Sequence, residues 1–111
     1  GDALLRRFAS ICTATCRAVD RVARVGAAAF AVLLPSTDSA CAHAVAEQLR
    51  QRAEAQSPAP GDDGLCFTVS GGLATTPDGR LDLEALMQHA GTALQQSRTG
   101  GRNRTVRFEA V

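Results

Sequence analysis

The hydrophobic pattern changes character three times in the first 35 residues. Over residues 2–17 the apolar positions Leu4, Leu5, Phe8, Ile11, Cys12 and Cys16 recur at three- and four-residue intervals, with Arg6, Arg7 and Ser10 on the other side. That one-sided stripe predicts an amphipathic helix. Residues 21–25 then interleave Arg21 and Arg24 with Val22, Ala23 and Val25, which predicts a strand with one wet face, whereas Phe30 to Leu34 is continuously apolar up to Pro35. A run of that kind predicts a strand buried on both faces. Between them, Gly26-Ala27-Ala28-Ala29 is short enough for a hairpin turn.

The second half repeats these signals in a different order. Ser36 or Thr37 is placed to cap a helix running to about Ala55, with Cys41, Val45 and Leu49 on one face and His43, Glu47, Arg50 and Glu54 elsewhere. Residues 57–64 are rich in Pro, Gly and Asp and predict an exposed loop. Cys66 to Ala74 predicts a third strand, in which Gly71-Gly72 signals a bulge or a close approach of backbone or ligand. After the Pro77-Asp78-Gly79 turn, Asp82 caps a helix with Leu83, Leu86, Met87, Ala90 and Leu94 on one stripe, and Gly100-Gly101 ends it. Arg104 to Phe108 alternates as a last strand, with Val106 and Phe108 inward. The expected fold class is α/β (α+β): helices layered on a mixed sheet that contains an antiparallel hairpin, in one domain spanning residues 1–111.

Composition narrows the function classes. With 45% hydrophobic and 21% charged residues the chain can bury a core, and 12 basic against 11 acidic side chains leave a formal charge of +1. No whole-molecule field draws it to nucleic acid or to an acidic membrane, so any anion site is local. No apolar run reaches the roughly 18 residues of a membrane span and no signal-peptide pattern opens the chain, so the expected location is the cytoplasm, without membrane contact. Cys12, Cys16, Cys41 and Cys66 form no CxxC pair and are expected to be reduced, buried thiols, and no metal site is assigned. His43 and His89 fall on polar helix surfaces as bystanders, and no Ser/His/Asp, Cys/His, Walker or dinucleotide motif is present.

Several words of the sequence, taken together, carry a family resemblance. Gly1-Asp2 is followed by Leu4, Leu5 and Arg6; the strand, hairpin, strand passage closes on Leu33-Leu34-Pro35; Thr68-Val69-Ser70-Gly71-Gly72-Leu73-Ala74 forms a strand; and Ala90 to Asn103 is a helix running into Gly101-Arg102-Asn103. In this order they resemble the GGDEF family of diguanylate cyclases, which condense two GTP into cyclic di-GMP. The resemblance covers the later part of the family's domain and implies that its opening strand, with a metal-binding Asp, and the segment after it are absent here. It places that strand between Phe30–Leu34 and Cys66–Ala74, whose facing backbone is then expected to be paired by an upstream segment, a partner chain or a rearranged sheet.

The hairpin tip is where the family carries Gly-Gly-Asp-Glu-Phe, and here it reads Gly26, Ala27, Ala28, Ala29, Phe30. Two carboxylates there would help hold Mg²⁺ ions on the GTP phosphates; a methyl group neither ligates a metal nor accepts a proton. The resemblance therefore implies a degenerate, catalytically inactive domain with no required cofactor. Asp2 matches the acid that helps bind guanine, and Arg98 and Arg102 match the basic pair that contacts phosphates, so residual nucleotide binding is assigned to these three. Asp2 serves equally as a helix cap, and an Arg near a helix C-terminus is favourable without any ligand.

Arg17-Ala18-Val19-Asp20 lies five residues before Gly26, the spacing of the family's product-binding Arg-x-x-Asp site. About one such pair is expected by chance in this composition, so the spacing carries the weight. A guanidinium can donate to guanine O6 and N7, and a carboxylate can accept from N1–H and N2–H₂. The same two residues also read as a solvated pair at a helix end. The helper Arg that the family often adds from the next helix falls at Gln48, with Arg50 nearby. The expected ligand is cyclic di-GMP and the expected macromolecular partner a second copy of the chain or an adjacent signalling or output domain; the alternative is an interaction scaffold without a nucleotide, and an active cyclase ranks last.

Overall fold

The computed structural model describes residues 2–55, 68–76 and 79–108. The elements follow the expected order: α1 (Asp2–Thr15), β1 (Arg21–Gly26), β2 (Ala29–Leu33), α2 (Ser39–Glu54), β3 (Gly71–Leu73), α3 (Leu83–Thr99) and β4 (Thr105–Arg107). The predicted loop over 57–64 and the Cys66 end of the third strand lie outside the described residues.

Local capping chemistry fixes where the helices begin. Asp38 caps α2 by accepting the Cys41 N–H at 2.7 Å, and Asp82 caps α3 by accepting the Ala85 N–H at 2.8 Å. The cap of α2 is thus two residues later than Ser36 and one later than Thr37, because Ser36 takes a left-handed φ of 51° and turns the chain before the helix starts. Gly100 closes α3, its N–H donating to the Gln96 carbonyl. The first helix stops at Thr15, two residues short of the expected end, because the Arg17 N–H leaves the helical ladder for the Asp20 carboxylate.

β1 and β2 form the expected antiparallel hairpin around Ala27-Ala28, with Val22 opposite Val32 and Arg24 opposite Phe30. Val25 is an extra residue between the Arg24/Phe30 and Gly26/Ala29 pairs, a bulge at the tip. The inward residues Val22 and Val32 pack with Phe8 and Val45 against a centre of Ile11, Cys12, Leu49 and Ala53. Phe8 of α1 meets Phe30 of β2 edge to face, ring centroids 5.5 Å apart. β2 is half-buried rather than buried on both faces, and Leu33 is exposed. The reason is that the helices pack on only one side of the hairpin among the described residues.

β3 and β4 pair in parallel, Gly71 beside Thr105 and Leu73 beside Arg107. The described residues therefore hold two two-stranded sheets in place of one mixed sheet, and none of their strands bridges β2 to β3. The β3/β4 pair is seated on α3, whose buried Ser97 hydroxyl donates to the Arg104 carbonyl at 2.6 Å. Gly71-Gly72 marks a close approach of backbone: a Cβ on Gly72 would overlap the Ala90 carbonyl and the Leu94 N–H of α3.

Three expectations about side chains are corrected. Cys12 alone among Cys12, Cys16 and Cys41 is buried, Cys16 being half-buried and Cys41 exposed, because α2 turns Ala42, Leu49 and Ala53 inward and leaves Cys41 off that stripe. Burial pushes the Cys12 thiol up to about 11. His89 does not sit on a polar surface; it is half-buried and stacked on Phe108, ring centroids 4.0 Å apart and planes 5° off parallel. His43 is likewise half-buried.

The seat of β3 on α3 generates a paired prediction. Gly72→Ala lowers unfolding stability by about 3 kcal/mol, since the atoms its Cβ would meet are α3 backbone, which cannot swing aside as a side chain can. Gly91→Ala, on the open side of the same helix where a Cβ meets nothing, raises it by roughly 0.5–1 kcal/mol. Urea unfolding of both variants checks the contrast, and equal effects would contradict it.

Candidate functional site

The segment between α1 and β1 is built around one carboxylate. Asp20 has a side chain only 2% exposed, and a buried carboxylate needs partners for its lone pairs. Arg17 supplies them. Its Nη2 lies 2.8 Å from Oδ1, its Nε 3.2 Å from both oxygens, and its own backbone N–H donates to Oδ2 at 2.7 Å. The Asp20 N–H returns a bond of 3.0 Å to the Arg17 carbonyl, closing a four-residue turn. The hydrogen-bonded guanidinium holds the Asp20 carboxyl below the usual carboxylate range, and that same hydrogen bond raises the guanidinium.

Arg17 also reaches across to the β2–α2 turn. Its Nη2 donates to the Pro35 carbonyl at 3.0 Å and to the Thr37 Oγ1 at 2.8 Å, and the Thr37 hydroxyl donates to the same Pro35 carbonyl at 2.9 Å. The Arg17 side chain is nevertheless 53% exposed. The structure thus brings Arg17 and Asp20 together, on the loop rather than on the last turn of the helix, and pairs them with each other. Thr37 and the Pro35 carbonyl reach Arg17 from the far end of the hairpin, which is why both escape a reading by sequence.

The helper position is not filled. Gln48 is exposed, and Arg50 is engaged elsewhere, with Glu47 at 2.8 Å, Glu54 at 3.3 Å and the Asn103 side-chain carbonyl at 3.2 Å. The Asn103 amide donates to Glu54 at 2.6 Å, and its backbone N–H to the Ser70 hydroxyl at 3.2 Å. This clasp fixes the turn after α3, in which Arg102 and Asn103 take φ of 63° and 46°. Arg98 in the last turn of α3 and Arg102 beyond it are both exposed on either side of Gly100-Gly101. Asn103 was legible only as part of a word, although Asn tolerates positive φ better than most residues.

At the hairpin tip Ala28 is exposed and Ala29 half-buried, and neither offers a donor atom to a cation. The turn is held by Arg24, whose Nε donates to the Gly26 carbonyl at 3.0 Å and whose Nη2 donates to that of Ala27 at 2.7 Å. Divalent metal chemistry does not fit these residues, and among the described residues no group of three or more His, Cys, Asp or Glu could hold a metal ion. Asp2 opens α1, and its side chain lies outside the described residues.

Comparison with known proteins identifies the family and the fold. The family model described as "Diguanylate cyclase, GGDEF domain" matches residues 1–104. Response regulator PleD of Caulobacter vibrioides is 33% identical over 108 residues, 96% of this chain and 24% of its own length, so the chain spans about a quarter of that relative. The active GGEEF domain of a diguanylate cyclase from Vibrio cholerae superposes with a TM-score of 0.89 at 24% identity, over 99% of this chain and 69% of the other. The GGDEF domain of DgcB from Caulobacter crescentus, solved in complex with c-di-GMP, superposes with a TM-score of 0.87 at 26% identity, over 98% of this chain and 65% of the other. No helix of the described residues is long and apolar enough to cross a membrane.

The Arg17–Asp20 pair makes stability depend on pH in a defined direction. Asp20 has a folded pKa below its unfolded value of about 3.9, so its contribution is complete above that value and is lost as pH falls through the folded pKa. The difference in unfolding free energy between wild type and Asp20→Asn is constant above about pH 5 and shrinks below about pH 4. Denaturant titrations across that window measure it, and a difference that does not change with pH would contradict the assignment.

Proposed function

Since the chain belongs to the GGDEF family of diguanylate cyclases, we propose that it is a catalytically inactive member that receives cyclic di-GMP at Arg17 and Asp20. The observation that carries the reading is the Arg17–Asp20 pair itself: a half-exposed guanidinium oriented by a buried carboxylate, five residues before the hairpin glycine. Arg17 supplies the forked donors for guanine O6 and N7, and Asp20 holds that fork in place. Once the pair opens, Asp20 accepts from guanine N1–H and N2–H₂. The DgcB likeness supports cyclic di-GMP as the ligand class. Exposed Arg98 and Arg102 offer weaker, residual contacts to phosphate.

The inactivity rests on Ala28 and Ala29. Metal binding and proton acceptance both require heteroatoms that a methyl side chain lacks, and each role is typically worth about 10²–10⁴-fold in rate. Activity, ligand and partners of any longer protein that contains this chain are part of the same proposal, with the cytoplasm, where GTP-derived nucleotides are made, as its location. One observation favours a second reading, an interaction scaffold: Val25 and Leu33 are exposed on the hairpin.

Two measurements test the proposal. Calorimetry with cyclic di-GMP gives saturable heat for wild type, and Arg17→Ala weakens binding roughly ten- to hundredfold, the worth of one bidentate contact. Arg17→Lys restores little of the loss, because an ammonium cannot fork. Absence of heat at high micromolar ligand would remove the receptor reading in favour of the scaffold. Separately, incubation with GTP and Mg²⁺ yields no cyclic di-GMP, and any measurable product would overturn the inactivity.

A further inference from the structure

The donors of Arg17 are already committed. Its Nη2 carries two hydrogens and faces three acceptors, Asp20 Oδ1, the Pro35 carbonyl and Thr37 Oγ1, all within 3.0 Å. Its single Nε hydrogen is shared between the two Asp20 oxygens. Among the described residues only Nη1 is left without an acceptor, and one nitrogen cannot form the two-point contact that reads a guanine edge. Asp20 is equally saturated, because its oxygens already accept the guanidinium and the Arg17 backbone N–H.

Resting on the receptor reading, we propose that Thr37 and the Pro35 carbonyl form an intramolecular latch that competes with a guanine ligand for Arg17. Thr37 is a positioning residue in this scheme. Its hydroxyl is oriented by donating to the Pro35 carbonyl, so its lone pairs point to Arg17, and the two acceptors move as one unit. The unit stands on the turn that precedes the Asp38 cap of α2, so it is anchored to the core through that helix. A ligand must draw Nη2 away from this unit before two adjacent donors are free, and its apparent dissociation constant rises by the inverse of the open fraction. The latch also couples the two ends of the hairpin, since Arg17 precedes β1 and Thr37 follows β2.

Removing one acceptor of the latch therefore strengthens binding, the opposite of what loss of a ligand contact does. By calorimetry, Thr37→Val, which keeps the shape and removes the acceptor, and Thr37→Ala each bind cyclic di-GMP roughly three- to tenfold more tightly than wild type, the scale of one partly exposed hydrogen bond to a charged group. Thr37→Ser, which keeps the hydroxyl, binds as wild type does. Equal or weaker binding by both Thr37→Val and Thr37→Ala, with thermal melting showing them folded, would overturn the latch. A second readout is independent of the ligand: by ¹⁵N-resolved NMR the Arg17 guanidinium protons exchange with water at least threefold faster in Thr37→Val than in wild type or Thr37→Ser. Unchanged exchange overturns the latch even if every variant binds. No heat from wild type and both variants, with exchange accelerated, overturns the receptor reading while leaving the intramolecular contact established.

Discussion

A carboxylate taken out of water must be matched by donors, and the placement of Asp20 meets that constraint in a way that shapes the first half of the molecule. The side chain is 2% exposed and receives both the guanidinium and the backbone N–H of Arg17. Accepting that N–H pulls the chain out of the helical ladder after Thr15 and delivers it into β1 at Arg21. The same guanidinium then holds the Pro35 carbonyl and the Thr37 hydroxyl, so the entry to the hairpin and its exit are tied, through Arg17, to one buried carboxylate. The candidate ligand site and the local architecture are therefore one object.

The hairpin tip separates folding from chemistry. Its backbone is held by Arg24 on the Gly26 and Ala27 carbonyls, by the bulge at Val25, and by the contact of Phe30 with Phe8. None of these uses the side chains of Ala27, Ala28 or Ala29. Substitution at those three positions therefore leaves the contacts that close the turn in place.

The second half is organised by contacts that join segments far apart in the chain. Arg50 and Glu54 of α2 hold the Asn103 side chain, and Ser70 holds its N–H, which fixes a turn with two consecutive positive φ values. Gly72 lets the backbone of β3 lie directly on α3, and Ser97 ties α3 to the start of β4. Arg98 and Arg102 are displayed from this clasped turn, while Arg50 is withdrawn from any role beside Arg17.

The identity and order of the elements were legible because they rest on short-range regularities: three- and four-residue apolar spacing for the helices, alternation for β1, and an aspartate or a glycine at helix ends. The alanines at residues 27–29 and the Arg17, Asp20 spacing were legible as patterns for the same reason. What the pattern could not contain was the partner of each polar group. A carboxylate three residues from an arginine looks the same on paper whether it is solvated or 2% exposed, and only the packing of the β2–α2 turn against Arg17 decides that the pair is closed. The cap moved from Ser36 or Thr37 to Asp38, Cys41 became exposed, His89 found Phe108, and β2 kept one open face, each because a neighbour distant in sequence set its surroundings. Periodicity and capping are properties of a few consecutive residues and are written in the sequence; burial, hydrogen-bond pairing and the joining of strands into sheets depend on which distant segments meet, and only the tertiary structure decides them.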